Sequence, residues 1–464
     1  MSCDELLPEA ARLIDEAVKI ALSIENPAIR DSALGAVATK AVAMNQFEKA
    51  RELLDKMSDG ELKIQTYREM AIAFAKRGYI PEALEMIEAI PYEEFRVEAL
   101  RAVISRLVSR GKVSRALSIA RSVKTDEFRN ELLKFVVEEM VKNKQIEGVE
   151  EIVESISDPI YRASARNIYL SAIPKFGKEI DESLWSKTLL DIEQIRDTII
   201  IGRGRGYLRD AEATYRKLIE MENLYFALRE ANMEKESKRI FGLINKFITE
   251  IEDDDDRIDA LRMLIRNATF SQRSTTDISP IIDRLLEEIQ GVENPLILAQ
   301  VFKDIGAYYL SRGDREKAES YIKKALENAD KIEEIFQRDA FYRELIRDLL
   351  KLGAHEFLEE TIEKFSEARY KIEALCEYAM RVDDRKKAEE LIAESQKHAK
   401  RIMNPVWLAY ILQRILEAQI TKSIGDVKKT LDVLLKITNI IDNSYSKATL
   451  LASIAEMIYR YCLK

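Results

Sequence analysis

The sequence is poor in glycine and proline, which interrupt helices, and in cysteine and histidine. Of its 464 residues only 15 are glycine and 9 are proline, which leaves little material for the turns of a sheet protein. The three cysteines, Cys3, Cys376 and Cys462, lie far apart and form no CxxC pair. This usage provides no disulfide framework or zinc-site spacing and suggests a reducing cytoplasm. No stretch approaches about 18 uncharged apolar residues, so no membrane span is expected.

Groups that would indicate catalysis are also scarce. The only two histidines, His355 and His398, are far apart, and neither lies in a Ser–His–Asp, Cys–His or HExxH pattern. Paired carboxylates carry no weight in a chain with 82 acidic residues, and the run Glu252–Asp256 lacks the spacing of a calcium loop. We therefore predict a protein that is not an enzyme and has no catalytic residue, metal or cofactor.

The net charge of the chain argues against one class of partner, duplex nucleic acid. The chain has 73 basic and 82 acidic residues, a formal net charge of −9, whereas duplex nucleic acid requires dense positive charge. Charged residues make up 33% and hydrophobic residues 47% of the chain, as in a folded protein. The high charge content and the few cysteines would also suit a thermophile.

A small or apolar anchor residue recurs every 33 residues in the first third of the chain. The anchors are Ala17, Ala50, Ala83, Ala116 and Val149. Apolar columns keep the same phase, among them Leu34, Tyr67, Leu100 and Leu133, and Leu53, Met86, Ile119 and Ile152. Within each repeat the apolar positions follow one another at three- and four-residue intervals, which predicts amphipathic helices. Each repeat is therefore a helix A, a tight turn and a helix B.

Two further columns describe the turns and the start of helix A. Asn45, Gly78 and Gly111 fall between helices A and B, where a left-handed residue ends a helix at little steric cost. Basic residues recur in the same 33-residue phase, twenty positions before the anchor position: Arg30, Lys63, Arg96, Arg129 and Arg162. Acidic or capping residues lie just upstream: Asn26, Glu93, Asp126 and Asp158. We favour a structural interpretation, in which the acid caps helix A and the base pairs with a neighbouring repeat, over a ligand role.

The phase drifts after the fifth anchor although the motif continues. Gly206-Tyr-Leu-Arg-Asp-Ala211 repeats the pattern of Gly78 to Ala83, and later anchors fall near Ala318, Leu358 and Ala388. The pattern predicts regular repeats over 1–195, an irregular helical middle over 196–295 that could act as a hinge, and a second repeat array over 296–464. An apolar helix from about Ser444 to Tyr461 is predicted to cap the C-terminal end.

One segment resembles a known repeat family. Between Ala299 and Asp330, seven residues and the turn residue Gly313 follow the signature spacing of the tetratricopeptide repeat (TPR): Phe302, Ile305, Gly306, Tyr309, Ala318, Ile322 and Ala325. The chain is thus similar to TPR-like helical-repeat proteins, of the archaeal or thermophilic type. The resemblance implies an all-α, right-handed α-solenoid of about twelve tandem antiparallel helix pairs, with a concave groove lined by helices A. It also implies that small residues at Gly306 and Ala318 let the helices approach closely.

The same resemblance places ligands on particular positions of helix A. The position fifteen before the anchor gives Arg68, Arg101 and Lys134, and the position seven before it gives Lys76, Lys142 and Lys175. If the phase is right, these six bases line one strip that would attract an acidic peptide or chain terminus. The family's carboxylate clamp also needs an asparagine, and Ile72, Ser105 and Glu138 stand at its place. A solvated basic face is the alternative interpretation of the strip.

A glycine-rich run imitates a phosphate loop. Gly202-Arg-Gly-Arg-Gly206 follows an apolar stretch, but its third glycine comes one residue too early for the dinucleotide fingerprint. Gly206 is already explained as the turn of a repeat. The arginines there, Arg203, Arg205 and Arg209, fit an anion-binding patch or a hinge better than a cofactor site.

These features favour a cytoplasmic scaffold that binds another protein or a peptide on the helix-A surface, and the basic strip would suit an acidic partner. The alternative is a helical-repeat protein that binds single-stranded nucleic acid. The acidic balance and the lack of aromatic residues in the groove columns count against that alternative. A catalytic domain hidden in the irregular middle is a third interpretation, which a closed pocket of polar residues with perturbed pKa values would support.

Overall fold

A computed structural model of the chain describes residues 3–195, 210–270 and 277–463. These residues form 24 α-helices and two short 3-10 helices, and no strand occurs among them. The predicted all-α solenoid of tandem helix pairs is confirmed. The sequence indicates why: apolar residues recur with helical period, glycine is scarce, and prolines such as Pro27, Pro159, Pro295 and Pro405 stand in the first turn of a helix, where no backbone donor is lost.

The helices are numbered in chain order. The first twelve are α1 (Cys3–Leu22), α2 (Pro27–Ala43), α3 (Phe47–Lys56), α4 (Gly60–Arg77), α5 (Ile80–Glu88), α6 (Glu93–Ser109), α7 (Val113–Ser122), α8 (Asp126–Lys142), α9 (Val149–Glu154), α10 (Pro159–Ala172), α11 (Glu182–Gln194) and α12 (Asp210–Glu230). The others are α13 (Glu234–Thr249), α14 (Asp254–Phe270), α15 (Ser279–Glu288), α16 (Pro295–Ser311), α17 (Arg315–Ala329), α18 (Ile335–Leu352), α19 (Leu358–Glu363), α20 (Ala368–Arg381), α21 (Arg385–Ala399), α22 (Pro405–Lys422), α23 (Val427–Asn439) and α24 (Ser444–Cys462). The 3-10 helices are Ile173–Phe176 and His355–Phe357.

The chain divides into two compact units. The central unit is Phe74–Ala325, and the terminal unit combines Met1–Ala73 with Leu326–Lys464. In the central unit, each even-numbered helix from α6 to α14 is a helix A that packs on the next one in the row, ending at α16. The helices B pack beside them as the pairs α6/α7, α8/α9, α10/α11, α12/α13 and α14/α15. The described helices between residues 210 and 288 thus pair as the other helices of this unit do, and the predicted hinge over 196–295 remains a prediction.

The turns and anchors follow the predicted pattern. Asn45 has φ 61°, Gly78 has φ 91° and Gly111 has φ 72°, so all three end helix A in the left-handed region. Ala50 and the other four anchors are fully buried. A small side chain at each anchor lets helix B approach the helices A that it covers.

The basic column is structural. Arg129 and Arg162 each donate a hydrogen bond to the backbone carbonyl six residues upstream, at 3.2 and 2.7 Å. Arg96 does the same at 2.5 Å, and the pattern continues at Arg257 and Arg338. Each arginine thus satisfies an orphan carbonyl at the end of the preceding helix B. The structural interpretation of this column is confirmed for these residues.

The upstream acids have more varied roles than predicted. Asn26 accepts from the amide of Ile29 and Asp158 from that of Ile160, as caps of their own helix A. Glu93 instead accepts from the backbone amide of Thr125, at 2.9 Å, at the start of the next repeat. A glutamate in the first turn of α6 reaches the following repeat because neighbouring helices A lie side by side.

The TPR-like segment has the close packing that the resemblance implied. A Cβ atom on Gly306 would lie 2.9 Å from Cγ1 of Ile322 and 3.6 Å from the carbonyl oxygen of Ala318. The ring of Tyr309 stacks on that of Tyr321 with centroids 5.7 Å apart. A side chain at position 306 would therefore require Ile322 to shift.

The two ends of the chain meet in the terminal unit. Helix α1 carries the buried anchor Ala17 of a helix B, and α1 packs against α24 and α2. The amide of Asn45 donates to the hydroxyl of Tyr459 at 2.9 Å, and Lys40 pairs with Glu456 at 2.7 Å. Helix α24 therefore packs beside α1 as a helix A packs beside its helix B. The predicted C-terminal cap is the partner of the first helix.

Candidate functional site

In the terminal unit a row of helices A presents an aromatic side chain in each first turn. The row runs through α18, α20, α22 and α24, each of which packs on the next. The aromatic residues are Phe336, Tyr370, Trp407 and Tyr445, at the second or third position of the four helices. Phe336 is 72% and Trp407 45% exposed, which is unusual for such large apolar side chains. Helix N-termini of equal register bring these rings to one edge of the row.

Arginines alternate with the rings in the middle of this row. The Arg369 guanidinium lies 4.5 Å from the ring centre of Tyr370 and 4.7 Å from that of Trp407. The Arg343 guanidinium lies 5.0 Å from the Tyr370 ring. The Tyr410 ring stands edge-on to Trp407, at 6.5 Å and 87°. We call these five residues the aromatic–arginine row. Cation–π contacts of this length hold the guanidinium groups in place.

Carboxylates balance most of the positive charge around the row. Arg369 pairs with Glu367 at 3.0 Å, and Arg414 pairs with Glu417. Burial raises the pKa of Glu373, although the nearby cations Arg343, Arg414 and Arg369 work in the opposite direction. Among the described residues, no carboxylate oxygen lies within 4 Å of the exposed Arg343 guanidinium. The row therefore retains one cation that can accept a carboxylate from outside the chain.

A cleft between α22 and α24 adjoins the row. A cavity of about 370 Å³ is lined by Val406, Tyr410, Gln413, Arg414, Glu417, Ser446, Thr449, Leu450 and Ser453. A second cavity, of about 420 Å³, shares Gln413, Glu417 and Ser453 and extends to Lys40, Glu456 and Arg460. Small side chains on α24 make room for the cleft. Polar side chains of α22 and α24 line its floor, so it can accept hydrogen-bonding groups of a ligand.

The six bases predicted from the sequence are divided between the units. Arg68 belongs to the terminal unit and lies 3.6 Å from Glu69. The other five, Lys76, Arg101, Lys134, Lys142 and Lys175, belong to the central unit. Lys175 lies beyond α10, in the 3-10 helix Ile173–Phe176. That these six bases, which come from four repeats, form one strip remains a prediction.

Acidic and aromatic side chains accompany the central bases. Arg101 lies 4.4 Å from the ring centre of Phe135 and pairs with Glu131 at 3.4 Å. Lys142 pairs with the buried Glu139 at 3.4 Å. The central surface is therefore less basic than the sequence columns suggest.

Behind these bases the central unit contains a buried polar cluster. The Asn167 amide donates to a carboxylate oxygen of Glu220 at 2.8 Å and to its backbone carbonyl at 2.9 Å. The Asn267 amide donates to the carboxylate of the fully buried Glu222 at 2.7 Å. Burial raises the pKa of Glu220, while Asn167 and the charge of Lys134 work in the opposite direction. No sequence column predicted this cluster, because its residues come from three helices A.

One predicted site lies outside the described residues, and two further features concern metal sites and membrane spans. The anion patch of Arg203, Arg205 and Arg209 lies outside the described residues. Over residues 3–195, 210–270 and 277–463, no group of three or more His, Cys, Asp or Glu side chains is arranged to hold a metal ion. No helix in this part of the chain is long and apolar enough to cross a membrane.

Two comparisons concern known sequences, and a third concerns solved structures. No family model and no curated protein matches the sequence. The crystal structure of Ton1535 from Thermococcus onnurineus NA1 is 16% identical, with a TM-score of 0.29, and the match covers 76% of this chain and 97% of that one. A circular tandem repeat protein with novel repeat topology and enhanced subunit contact surfaces is 12% identical, with a TM-score of 0.23, over 99% of this chain and 97% of that one.

Proposed function

We propose that this protein is a TPR-like repeat scaffold in the cytoplasm that acts by binding a protein or peptide, and not by catalysis. The observation that carries the proposal is the aromatic–arginine row. Exposed Trp and Tyr rings beside fixed guanidinium groups are the side chains that dominate protein–protein binding energy. The row lies on helices A, and the TPR resemblance assigns ligands to the surface that helices A form.

The basic strip of the sequence belongs to the same proposal as a second surface. Arg101 is fixed against Phe135 in the way that Arg369 is fixed against its two rings. An acidic partner long enough to touch several repeats would gain speed of encounter from the central bases. The strip and the row need not be used by the same ligand.

Single-stranded nucleic acid is the competing ligand. Rings and arginines also form the stacking platforms of proteins that bind single strands. Arg369 and Arg414 are already paired with Glu367 and Glu417, so the row lacks the run of available cations that a phosphate backbone needs, which favours a peptide. Binding of an oligonucleotide whose affinity falls steeply with salt would favour the competing ligand instead.

A random peptide library displayed on phage, selected against the purified chain, tests the proposed function. We expect enriched peptides whose affinity, measured by fluorescence anisotropy, falls on Trp407→Ala or Arg343→Glu. The double variant Arg101→Glu with Lys134→Glu tests the strip in the same way. Arg385→Glu is the matched control, since Arg385 is 70% exposed on helix B in the terminal unit. The proposal fails if no peptide is enriched, or if every enriched peptide binds all the variants equally.

A further inference from the structure

The spacing of the aromatic–arginine row restricts the conformation of a bound peptide. Packed helices lie ~8–10 Å apart, so the first-turn rings of α18, α20 and α22 recur at about that interval. In a β-strand three residues span this interval, but the side chains of residues i and i+3 point to opposite faces of the strand. A polyproline II helix rises ~3.1 Å per residue with three residues per turn, so every third residue returns to the same face after ~9 Å. A polyproline II segment therefore matches one residue to each helix.

An α-helical ligand also repeats at a similar distance, since seven residues rise ~10 Å. Its backbone, however, has satisfied its own hydrogen bonds and needs a continuous apolar groove. The row is not continuous: the guanidinium groups of Arg343 and Arg369 separate its rings. A polyproline II backbone has no internal hydrogen bonds, so its carbonyl groups seek donors. Arg343, and Gln413 in the adjoining cleft, can provide them.

The corner between the Trp407 and Tyr410 rings suits a proline ring. Trp407 and Tyr410 stand nearly perpendicular, at 87°, and both rings are about two-fifths exposed. A pyrrolidine ring packed in this corner contacts one aromatic face and one aromatic edge. Tyr370 and Phe336 provide the next two aromatic contacts, one on each of α20 and α18.

The charges of the row determine which charged side chain the ligand carries. Arg369 and Arg414 are paired with Glu367 and Glu417, and Arg343 is the cation without a carboxylate within 4 Å among the described residues. A carboxylate on the ligand beside Arg343 would complete the pairing. A basic ligand would place a second positive charge beside Arg343.

We infer that the aromatic–arginine row binds an acidic, proline-rich segment of a partner protein in the polyproline II conformation. The inference rests on the proposed function, which it narrows to one class of peptide. Prolines contact Trp407 with Tyr410 and, one turn along, Tyr370. A Glu or Asp side chain of the segment pairs with Arg343.

A synthetic peptide of about nine residues, a run of prolines with a glutamate at each end, is the probe; it spans ~28 Å and is acidic in either orientation. Binding is measured by fluorescence anisotropy of the labelled probe. Iodide quenching gives a second readout, because Trp407 is exposed whereas Trp185, the other of the two tryptophans, is buried. We expect the probe to shield the quenchable tryptophan, and Trp407→Ala to lower its affinity at least tenfold, with partial recovery in Trp407→Phe.

A charge cycle tests the pairing with Arg343. Arg343→Gln should lower the affinity of the glutamate-ended probe about tenfold and leave a glutamine-ended probe unchanged, whereas Arg385→Gln should affect neither. The inference is overturned if a lysine-ended probe, or a glycine–serine peptide with the same glutamates, binds as well as the acidic proline probe. It is also overturned if the proline probe does not bind.

The two levels of the proposal fail separately. If library-selected peptides bind through Trp407 but the proline probe does not, the binding function stands and the ligand class is wrong. If neither the library nor the probe yields a ligand, the binding function itself is wrong.

Discussion

Helices α14 and α16 of the central unit and helices α18 and α22 of the terminal unit use the same helix-pair repeat in different ways. In the central unit, polar side chains of helices A are buried against each other: Asp304 is inaccessible and lies 2.9 Å from Arg262 and 2.7 Å from Arg266. In the terminal unit, helices A leave Trp407 and Phe336 exposed at their first turns. A repeat needs its buried anchors to fold, but the outer positions of helix A are free to carry either structural pairs or rings available to a ligand. The repeat pattern alone therefore does not locate a binding surface.

The largest effect is expected from breaking the buried ion cluster of the central unit. Asp304→Asn leaves Arg262 and the buried Lys303, 3.8 Å away, without their shared carboxylate, and should lower the free energy of unfolding by ~3–5 kcal/mol. Chemical denaturation followed by circular dichroism measures it. Asp259→Asn is the control: Asp259 pairs with the same Arg262 but is 61% exposed, so it should cost below ~1 kcal/mol. Equal losses in the two variants would contradict the contrast between buried and exposed pairs.

A somewhat smaller effect is expected at the junction of the chain ends. Leu13 in α1 is fully buried, and Leu13→Ala should destabilise the terminal unit by ~2–5 kcal/mol. Because α1 packs on α24, hydrogen exchange should speed up in α24 as well as in α1. The control is Arg12→Ala, whose exposed side chain pairs only with Glu9 and Glu16 on its own helix. Unchanged exchange in α24 would show that the two helices are independent.

The buried Glu220 gives the central unit a pH dependence. Burial raises the pKa of Glu220, so the folded state favours its protonated form. The resulting contribution to stability is fully present below the unfolded pKa of about 4.5 and is lost as pH rises through the higher folded pKa. Glu220→Gln should therefore stabilise the protein at neutral pH and show no advantage at pH 4. Urea denaturation at several pH values tests this, and a variant less stable than the parent at pH 7 would contradict it.

The smallest effect on stability is expected in the aromatic–arginine row. Trp407→Ala removes a half-exposed ring and one contact with Arg369. The free energy of unfolding should therefore change by no more than ~1 kcal/mol. The same truncation of Trp185, which is buried in the central unit, should cost ~3–5 kcal/mol. Similar losses for the two tryptophans would mean that the row supports the fold, and the argument for a binding surface would lose its basis.

The repeat could be predicted from the sequence, whereas the aromatic–arginine row could not. The anchors, the left-handed turns at Gly78 and Gly111 and the arginine column are local patterns, because each residue acts within about one repeat. The aromatic–arginine row was missed because Tyr370 and Trp407 stand outside the two columns that the resemblance assigned to ligands. They become neighbours only through the packing of α20 on α22. The polar cluster of Asn167 and Glu220 joins residues 53 positions apart, and no column spans that distance.

The pairing of α1 with α24 has a consequence for how the chain is made. Helix α24, which packs on α1, is synthesised more than 400 residues after it. At ~5–20 residues per second, the apolar face of α1 waits roughly 20–90 s for that partner. During this interval the apolar face of α1 is uncovered in newly synthesised chains, so chaperones or other nascent chains can bind it. Slow synthesis should therefore increase aggregation of the full chain, and a circular permutant that makes α1 directly after α24 should relieve it.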